Sequence, residues 1–347
     1  MQAQRPGQIL VVDGDSISLK AISEALISRG HEVDTCSTAL EARRLLEVKY
    51  FDVMVCSHRL PDQRGEVLCN FVKANENLQN TFVALVLDMG FDSAEAGSIM
   101  ARHFTDDPRL KETSGPDDII FKPVLPAMLA GRVGNLLRMR RYLDESQNAI
   151  SALMAVAEGI EEQDRRSRGH CKRLAVMCVE LGSVLGCDEW ELTALERGAY
   201  LHDIGMIGVS GAVTQRNGVI SPQEMETIKS HTVRGEALCK PVAALGPVLP
   251  IIRWHHERSD GTGYPDRLRI DQIPRLVHIF TIPHLYESLR VWRPYRSAAI
   301  EGRALSIMEE EVSKGSWNNM IFKVFANDVV PGLDERLDSM HILWPDA

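Results

Sequence analysis

Residues 255–265 read His-His-Glu-Arg-Ser-Asp-Gly-Thr-Gly-Tyr-Pro. The stretch begins with two adjacent histidines, whose neutral imidazoles are frequent metal ligands, and ends in a glycine-rich turn closed by Pro265. Glycine allows the backbone of a loop to approach another group closely. We therefore predict metal ligands beside a loop that can contact a substrate. A single His-His pair is a weak signal, so its value depends on partners elsewhere in the chain.

Six of the 11 histidines form a spaced series in the second half of the chain, where helical patterns dominate. They are His170, His202, His231, His255, His256 and His284. Asp203 follows His202 at the predicted end of a helix, and its carboxylate could bridge two cations. Imidazole with carboxylate suits Fe, Mn, Ni, Co or Zn better than Mg or Ca. Two metals about 3.5–4 Å apart are a well-known arrangement for hydrolysing phosphodiesters.

Isolated histidines have a plainer interpretation, because most are hydrogen-bonded surface or core residues. We apply that interpretation to His31, His58, His103, His278 and His341. Six histidines with an adjacent Asp and a Gly-Tyr-Pro loop in one domain are hard to explain by packing alone. No Ser-His-Asp or Cys-His arrangement is recognisable, which agrees with metal chemistry rather than a side-chain nucleophile.

The bulk composition is that of a cytoplasmic globular protein. The 347 residues are enough for two domains, with 44% hydrophobic and 25% charged residues. A net charge of −9 does not favour binding to a nucleic-acid polymer. Seven cysteines without a Cys-x-x-Cys pair indicate a reduced chain. No signal peptide and no apolar run of transmembrane length is evident, so we expect no membrane insertion.

The first 125 residues alternate short apolar runs with amphipathic segments. The pattern predicts a helix after Asp15 and another from about Thr38. Strands are predicted at residues 8–12, 32–35, 52–56, 82–87 and 118–121, and a further helix from about Ser93. Alternating strands and helices indicate a doubly wound, flavodoxin-like parallel sheet with helices on both faces.

This region resembles a two-component receiver domain in its element order, its acidic turn and its Lys122-Pro123. Receivers carry two adjacent acids after the first strand, where this chain has Asp13 and Gly14, with Asp15 next. Only Lys122 of the expected phosphorylation site is intact. With one acid replaced, the Mg²⁺ site is weakened.

The position of the phospho-accepting Asp, four residues before Pro61, is occupied by Ser57. The switch Ser or Thr falls on Leu87 or Asp88. Ser57 cannot form an acyl phosphate, so we interpret the domain as a pseudo-receiver used for dimerisation or partner docking. The alternatives are that Ser57 is itself modified or that the pocket binds another ligand. The segment of residues 88–116 is longer than a receiver usually has, and is either an altered output face or a surface insertion.

Residues 126–148 form a predicted helical connector, within a helix from about Leu125 to Ile160. Its sevenfold apolar spacing is compatible with a parallel coiled coil. The predicted seam contains Leu136, Leu143, Ile150 and Ala157, with Met139 or Arg140, Gln147 and Met154 between them. The alternative is a helix packed against its own domains. We favour a homodimer through the connector.

Residues 149–347 resemble the HD-GYP family, the cyclic di-GMP phosphodiesterases among the HD phosphohydrolases. The matching motifs are Gly169-His170, His202-Asp203-Ile204-Gly205, His231 with Gly235, His255-His256-Glu257, Asp260-Gly261-Thr262-Gly263-Tyr264-Pro265 and Arg293-Pro294-Tyr295-Arg296. The resemblance implies an all-α domain that opens cyclic di-GMP to linear pGpG or onward to GMP. It also implies two divalent transition metals, with Fe, Mn or Ni favoured.

The resemblance assigns roles residue by residue. One metal would take His170 with the catalytic pair His202 and Asp203. The second would take His231, His255 and His256, with Asp203 bridging. Gly263, Tyr264 and Pro265 would line the substrate side. Arg293 and Arg296 would meet guanine or phosphate, which a guanidinium fork suits.

Several positions depart from the family. Met206 replaces a Lys that is expected to touch a substrate phosphate, a loss of about 2–4 kcal/mol of transition-state stabilisation if nothing replaces it. His284 stands where the family has an Asp ligand; it can still ligate a metal but removes a negative charge. Pro283 is expected to interrupt the helix there, and Glu287 stands where a second Asp is usual. Arg166 occupies the position of a Glu that recruits a third metal in some members, so we expect two metals at most.

Three hypotheses follow. The first is a metal-dependent cyclic di-GMP phosphodiesterase with a non-phosphorylatable receiver. The second is a weak or inactive member that acts as a cyclic di-GMP sensor or dimeric scaffold. The third is an HD hydrolase of another phosphoester, against which the Gly-Tyr-Pro and Arg-Pro-Tyr-Arg elements count. A diguanylate cyclase or another signalling protein is a candidate partner.

Overall fold

The computed structural model describes most of the chain in two compact units. The described residues are 5–75, 77–78, 80–88, 115–162, 168–209, 221–291, 300–342 and 344. The units comprise Met1–Glu145 and Ser146–Ala347. The predicted helix from about Ser93 lies outside the described residues.

The first unit is built on a five-stranded parallel sheet. Its strands are β1 (Gln8–Val12), β2 (Glu32–Cys36), β3 (Val53–Ser57), β4 (Phe82–Leu87) and β5 (Asp118–Phe121). Their order is β2-β1-β3-β4-β5, which is the flavodoxin-like order. Strands β1, β3 and β4 are almost wholly buried, as expected for a parallel sheet covered on both faces. The predicted fold class is confirmed.

Three helices of this unit are described between its strands, and the first two begin where the sequence predicts them. They are α1 (Ser16–Ile27), α2 (Ala39–Val48) and α3 (Gly65–Ala74). The Asp15 carboxylate caps α1 by accepting the N–H groups of Ile17 and Ser18, and the Thr38 hydroxyl accepts the N–H of Glu41. One hydrophobic core lies on each face of the sheet. Because all the strand pairs are parallel, the carboxyl ends of the strands lie at one edge.

A single helix, α4 (Pro126–Glu162), runs through the connector and across the boundary between the units. The predicted seam along it is not free for a partner. Leu136 is buried in the core of the first unit, and Ile150 and Ala157 in a core of the second. Only Leu143 of the four is exposed. The sevenfold spacing therefore reflects packing within each unit, because one stripe of an amphipathic helix serves either purpose.

The second unit is helical throughout its described regular elements. The α-helices after α4 are α5 (His170–Val184), α6 (Glu189–Leu201), α7 (Pro222–Lys229), α8 (His231–Cys239), α9 (Leu249–Trp254), α10 (Arg275–Arg290), α11 (Glu301–Ser313), α12 (Asn319–Val324) and α13 (Leu333–Ser339). Short 3₁₀ turns occur at Ile204–Gly208, Ala243–Leu245 and Ile270–Gln272, and a π turn at Phe325–Val329.

Helix α10 passes through Pro283 without interruption, contrary to the expected break. A proline inside a helix costs about 3 kcal/mol because it removes a hydrogen bond and crowds the preceding turn. Helix α10 buries Ile279, Phe280, Ile282 and Tyr286 in the main core of the unit. Each such side chain contributes about 1.5–3 kcal/mol, which outweighs the local cost.

No described helix is both long enough and apolar enough to span a membrane. All seven cysteines are free, as expected for a reduced chain. Six of them are buried, so they contribute to packing rather than to a disulfide framework.

Candidate metal centre

Two groups of side chains in the second unit could each hold a metal ion. The first cluster is His170, His202 and His284, and the second cluster is Asp203, His231, His255 and His256. Within each cluster the ligand atoms lie within 4.8 Å of one another. All seven ligands expected from the sequence are therefore brought together. His284 belongs to the first cluster, so a histidine at this position reaches the site.

Asp203 connects the two clusters. Its Oδ2 lies 3.4 Å from Nε2 of His202, and its Oδ1 lies 3.1 Å from Nε2 of His231. Oδ1 is also 3.6 Å from Nε2 of His255. One carboxylate oxygen thus faces each cluster, which is the geometry required of a bridging ligand.

His202 and Asp203 directly follow the last residue of helix α6, so the end of this helix determines where they lie. Helix α6 starts with a reciprocal capping box between Asp188 and Glu191, and His202 is its C-cap residue. A tight turn at Gly205 then packs against α8, where an added Cβ would lie 1.9 Å from the carbonyl oxygen of His231. This close approach sets the spacing between Asp203 and His231.

Main-chain carbonyls orient three of the imidazoles. Nδ1 of His202 lies 3.0 Å from the carbonyl of Ala199, and Nδ1 of His231 lies 2.7 Å from that of Ile228. Nδ1 of His255 lies 3.0 Å from the carbonyl of Ile252. A carbonyl oxygen can only accept, so each Nδ1 donates, and in the neutral ring the Nε2 lone pair points into the site.

This orientation makes lone pairs face one another. Nε2 of His231 is 3.2 Å from Nε2 of His255, and Nε2 of His170 is 3.2 Å from Nε2 of His202. Two neutral acceptor nitrogens at that distance repel unless a cation lies between them. Each cluster therefore contains one position that requires a proton or a metal ion.

His170 has a different partner from the other three histidines. Its Nδ1 lies 2.7 Å from Oε2 of Glu287, and Oε1 of Glu287 accepts from Arg173 at 2.7 Å. Arg173 and Glu287 are both fully buried. The α5 helix that carries His170 is capped by Glu161 of α4, whose carboxylate accepts the backbone N–H of His170 at 2.9 Å.

The electrostatics keep most ligands in the form that binds metal. Burial raises the pKa of Asp203, but His202 and its neighbours outweigh this and hold it well below the usual range. Burial lowers the pKa of His255 to about 4 and those of His256 and His284 well below their usual value. Burial also lowers the pKa of His170 and His231, but the adjacent carboxylates raise both overall. His170 and His231, whose pKa values are raised, each belong to one of the two pairs of facing Nε2 atoms.

The mouth of the site is formed by its less buried members. The Asp203 side chain is 47% exposed, and His256, His284 and Tyr264 are half-buried. The Tyr264 ring stacks on His256 with centroids 4.7 Å apart and an interplanar angle of 25°. The Gly-Tyr-Pro loop therefore lies directly beside the second cluster.

That loop is held from behind by Glu257, which is buried and does not belong to either cluster. Its carboxylate accepts the N–H groups of Asp266, Arg267 and Leu268 at 2.7–2.9 Å. An added Cβ at Gly263 would lie 2.4 Å from the backbone nitrogen of Arg258, so the loop has room only for glycine there. Asp266 is fixed further by Arg253 and Trp254 of α9.

Some expected residues fall elsewhere. Arg293, Arg296 and Arg166 lie outside the described residues. Met206 lies in the 3₁₀ turn that follows Asp203. The roles of Arg173 and Glu257 were not predicted from the sequence, because motif spacing identifies metal ligands and not the residues that hold them in place. For Arg173, a charged residue on the apolar face of a helix was the available signal.

The first unit places its remaining receiver residues at the carboxyl edge of the sheet. Asp13 is buried and lies 2.9 Å from Nζ of Lys122, which is also 3.6 Å from Asp88. Ser57 ends β3 and is buried. Asp15 is engaged as the α1 cap. A Cβ added at Gly14 would lie 2.7 Å from the ring of Pro61. The second acid of a receiver therefore does not fit at position 14 unless Pro61 moves.

Residues 149–316 match the model of the HD domain family. A cyclic di-GMP phosphodiesterase of Thermotoga maritima is 26% identical over 83% of this chain and 82% of the relative. The cyclic di-GMP phosphodiesterase response regulator RpfG of Xanthomonas campestris is 25% identical over 78% of this chain and 73% of the relative. The 3'3'-cGAMP-specific phosphodiesterase 3 of Vibrio cholerae is 29% identical over 53% of this chain and 40% of the relative. A receiver domain structure from Methanospirillum hungatei covers 40% of this chain and 98% of that chain, at 24% identity and TM-score 0.33.

Proposed function

We propose that the protein is a metal-dependent phosphodiesterase that hydrolyses cyclic di-GMP, starting from the match of residues 149–316 to the model of the HD domain family. The observation that carries the proposal is the pair of facing Nε2 atoms in each cluster, joined by Asp203. Two cation positions share one carboxylate. The names of two relatives that span most of this chain support cyclic di-GMP as the substrate.

The donor set fits transition metals. Six imidazoles and one carboxylate favour Fe, Mn or Ni over Mg. His170, His202 and His284 would hold one ion, and His231, His255 and His256 the other, with Asp203 shared between them. Two bound divalent metals supply Lewis-acid charge to a phosphodiester and lower the pKa of water. The linear dinucleotide pGpG, or GMP after a second cleavage, is the proposed product.

The protein itself orients the substrate. Asp203, His256 and His284 are the cluster members that reach the mouth, so a phosphodiester would approach from that side. Gly263, Tyr264 and Pro265 would line this side, since the Tyr264 ring lies against His256. Glu257 fixes the loop and so limits the freedom of these contacts. Arg293 and Arg296 are proposed to meet guanine or phosphate.

The test uses the full chain, purified without oxygen and loaded with Mn or Fe. We expect conversion of cyclic di-GMP to pGpG or GMP, followed by chromatography, and complete loss of turnover in Asp203→Ala. His278→Gln is the matched control, because His278 is a buried histidine of the same unit that belongs to neither cluster and whose Nε2 lies 3.0 Å from the carbonyl of Ile270. The proposal fails if the loaded wild type leaves cyclic di-GMP intact. Running 3'3'-cGAMP in parallel shows which dinucleotide is preferred.

A second candidate function is supported by Met206. Without the Lys expected at this position, the site has lost a cation that would stabilise charge developing on phosphate. The protein would then bind cyclic di-GMP as a sensor or dimeric scaffold without cleaving it. Tight binding with no turnover in metal-loaded protein favours this candidate, and turnover that His202→Ala abolishes excludes it.

The N-terminal region is proposed to be a regulatory pseudo-receiver of residues 1–125, followed by a connector of 126–148 and the catalytic domain of 149–347. Asp13 paired with Lys122, and Ser57 in place of a carboxylate, support a role without phosphorylation. Homodimerisation through the connector and docking of a diguanylate cyclase or another signalling protein remain proposals. The exposed face of α4, not the buried seam, would have to supply such a contact.

A further inference from the structure

A buried ion pair lies directly behind the first cluster. Arg173 of α5 meets Glu287 of α10 through Nη2 at 2.7 Å and Nε at 3.2 Å, and both side chains are fully buried. The other oxygen of Glu287 contacts Nδ1 of His170. Buried pairs carry a large desolvation cost, so they are weak candidates for a purely stabilising role.

The contact makes the two clusters electrostatically unequal. Nδ1 atoms of His202, His231 and His255 face neutral carbonyls. Of these imidazoles, His170 alone is backed by a carboxylate. A carboxylate on the far nitrogen fixes the ring orientation and increases the basicity of the metal-binding nitrogen.

The first cluster is also the one that lacks an anionic ligand of its own. Its three members are histidines, whereas Asp203 is counted with the second cluster and only shares an oxygen with the first. A divalent ion in the first cluster would be held by three neutral imidazoles and one oxygen of the Asp203 carboxylate, which the second cluster would share. The negative charge of Glu287, which lies beside the far nitrogen of the His170 ring, would offset this lack of anionic ligands.

We propose that Glu287, held in place by Arg173, is a positioning residue that gives the first cluster its metal affinity. This inference rests on the proposed function, since it concerns one of the two ions assigned there. Arg173 fixes the rotamer of Glu287 through its fork and also donates to the carbonyl of Arg168 at 2.7 Å, beside the start of α5. Glu287 in turn fixes the His170 ring.

The side chain of Trp344 packs against Arg173. The Trp344 ring centroid lies 5.0 Å from the Arg173 guanidinium, and its indole N–H donates to Asp334 at 2.8 Å. Cation–aromatic contact of this kind is strongest where the cation is shielded from water. Trp344 thus helps to keep Arg173 on Glu287.

The test is the double variant Arg173→Met with Glu287→Gln, which removes both charges and leaves no unpaired buried ion. We expect the full chain to lose about 10–100-fold in affinity for one of its two metal ions, with the other unchanged. The readouts are metal stoichiometry, competition with a chromophoric chelator, and the absorption of Co²⁺-loaded protein. Turnover is not needed.

The control is Arg336→Met with Glu180→Gln. Arg336 forks onto Glu180 of the same α5 helix at 2.9 and 3.1 Å, but this pair contacts no cluster histidine. Wild-type affinity for both ions in the Arg173/Glu287 variant would overturn the inference, as would equal losses in the control. Wild-type protein that binds fewer than two ions would instead overturn the proposed function and this inference with it.

A second variant covers the case in which the double variant does not fold. Glu287→Gln alone keeps the length of the side chain and an oxygen that can accept from Arg173, but removes the negative charge beside His170. We expect the same selective loss of one ion. Retained affinity for both ions in Glu287→Gln, with the fold intact, would overturn the role of Glu287.

Discussion

Substituting Gly205 by alanine is expected to move Asp203 away from His231 within the second cluster. Gly205 lies two residues after Asp203, and its backbone packs against the helix that begins at His231. An added Cβ would lie 1.9 Å from the His231 carbonyl oxygen and 2.6 Å from the backbone nitrogen of Gly235. Both obstructing atoms are backbone, so no side-chain rotation relieves the clash.

The size of the effect follows from that distance. Cβ contacts shorter than 3.0 Å are essentially absent from real proteins, so the turn and α8 would have to part by at least about 1.1 Å. Such a shift lengthens the 3.1 Å approach of Asp203 to His231 beyond ligand-sharing range. Overpacking of this kind costs about 1–3 kcal/mol, and we expect the upper part of that range.

The assay combines thermal unfolding with metal stoichiometry measured on protein that is folded by circular dichroism. The matched control is Gly302→Ala in α11, where an added Cβ meets nothing within 4 Å. That change should be neutral or stabilise by up to about 1 kcal/mol, since Ala is the better helix former. A Gly205→Ala protein with normal stability and two tightly held metals would refute the claim that this contact sets the site spacing.

Three further outcomes are expected. Met206→Lys should raise kcat/KM for cyclic di-GMP about 10–100-fold by returning a cation to the phosphate side, and unchanged kinetics would show that another group already supplies it. Removing metals with a chelator should lower the free energy of unfolding by about 2.7 kcal/mol for each ion present at 100 times its Kd, and an unchanged Tm would contradict metal binding to the clusters. Intact mass after incubation with a small phosphodonor should show no phosphate on the wild type or on Ser57→Asp, because Gly14 replaces one of the two adjacent acids of a receiver and Asp15 caps α1 instead; a labile adduct on the wild type would contradict the pseudo-receiver interpretation.

The sequence was sufficient to predict the parallel sheet and the seven side chains that the structure brings together in the two clusters. Short apolar runs bounded by Asp15, Thr38 and Lys122 have a local cause, because caps and turns are encoded within a few residues. The ligands were found because imidazoles spaced along several helices have few other uses in a single domain. His284 illustrates the limit: whether it could reach the first cluster depended on the path of α10 through Pro283. That path is set by core packing, which no local rule encodes.

The errors have the same origin. The sevenfold pattern at Leu136, Ile150 and Ala157 was read as an interface, although the two units themselves bury these residues. Periodicity identifies an apolar stripe but not what covers it. The support of His170 by Glu287 and Arg173 was equally invisible, since these residues are 114 positions apart in the pairing between α5 and α10. Tertiary contacts of this length have no signature in a single sequence.

The two facing pairs of imidazole nitrogens distinguish a metal-binding site from histidines that only pack together. If the clusters served only packing, two buried pairs of imidazoles with Nε2 atoms 3.2 Å apart would each have to retain a proton between acceptors. Glu287 raises the pKa of His170 and Asp203 raises that of His231, so each pair contains one imidazole that takes up a proton more readily than a free histidine. Replacing His170 or His231 with an apolar residue would remove this cost without creating an unpaired charge on the other imidazole. A metal ion in each cluster would remove this cost, and this supports metal binding independently of whether Met206 still permits turnover.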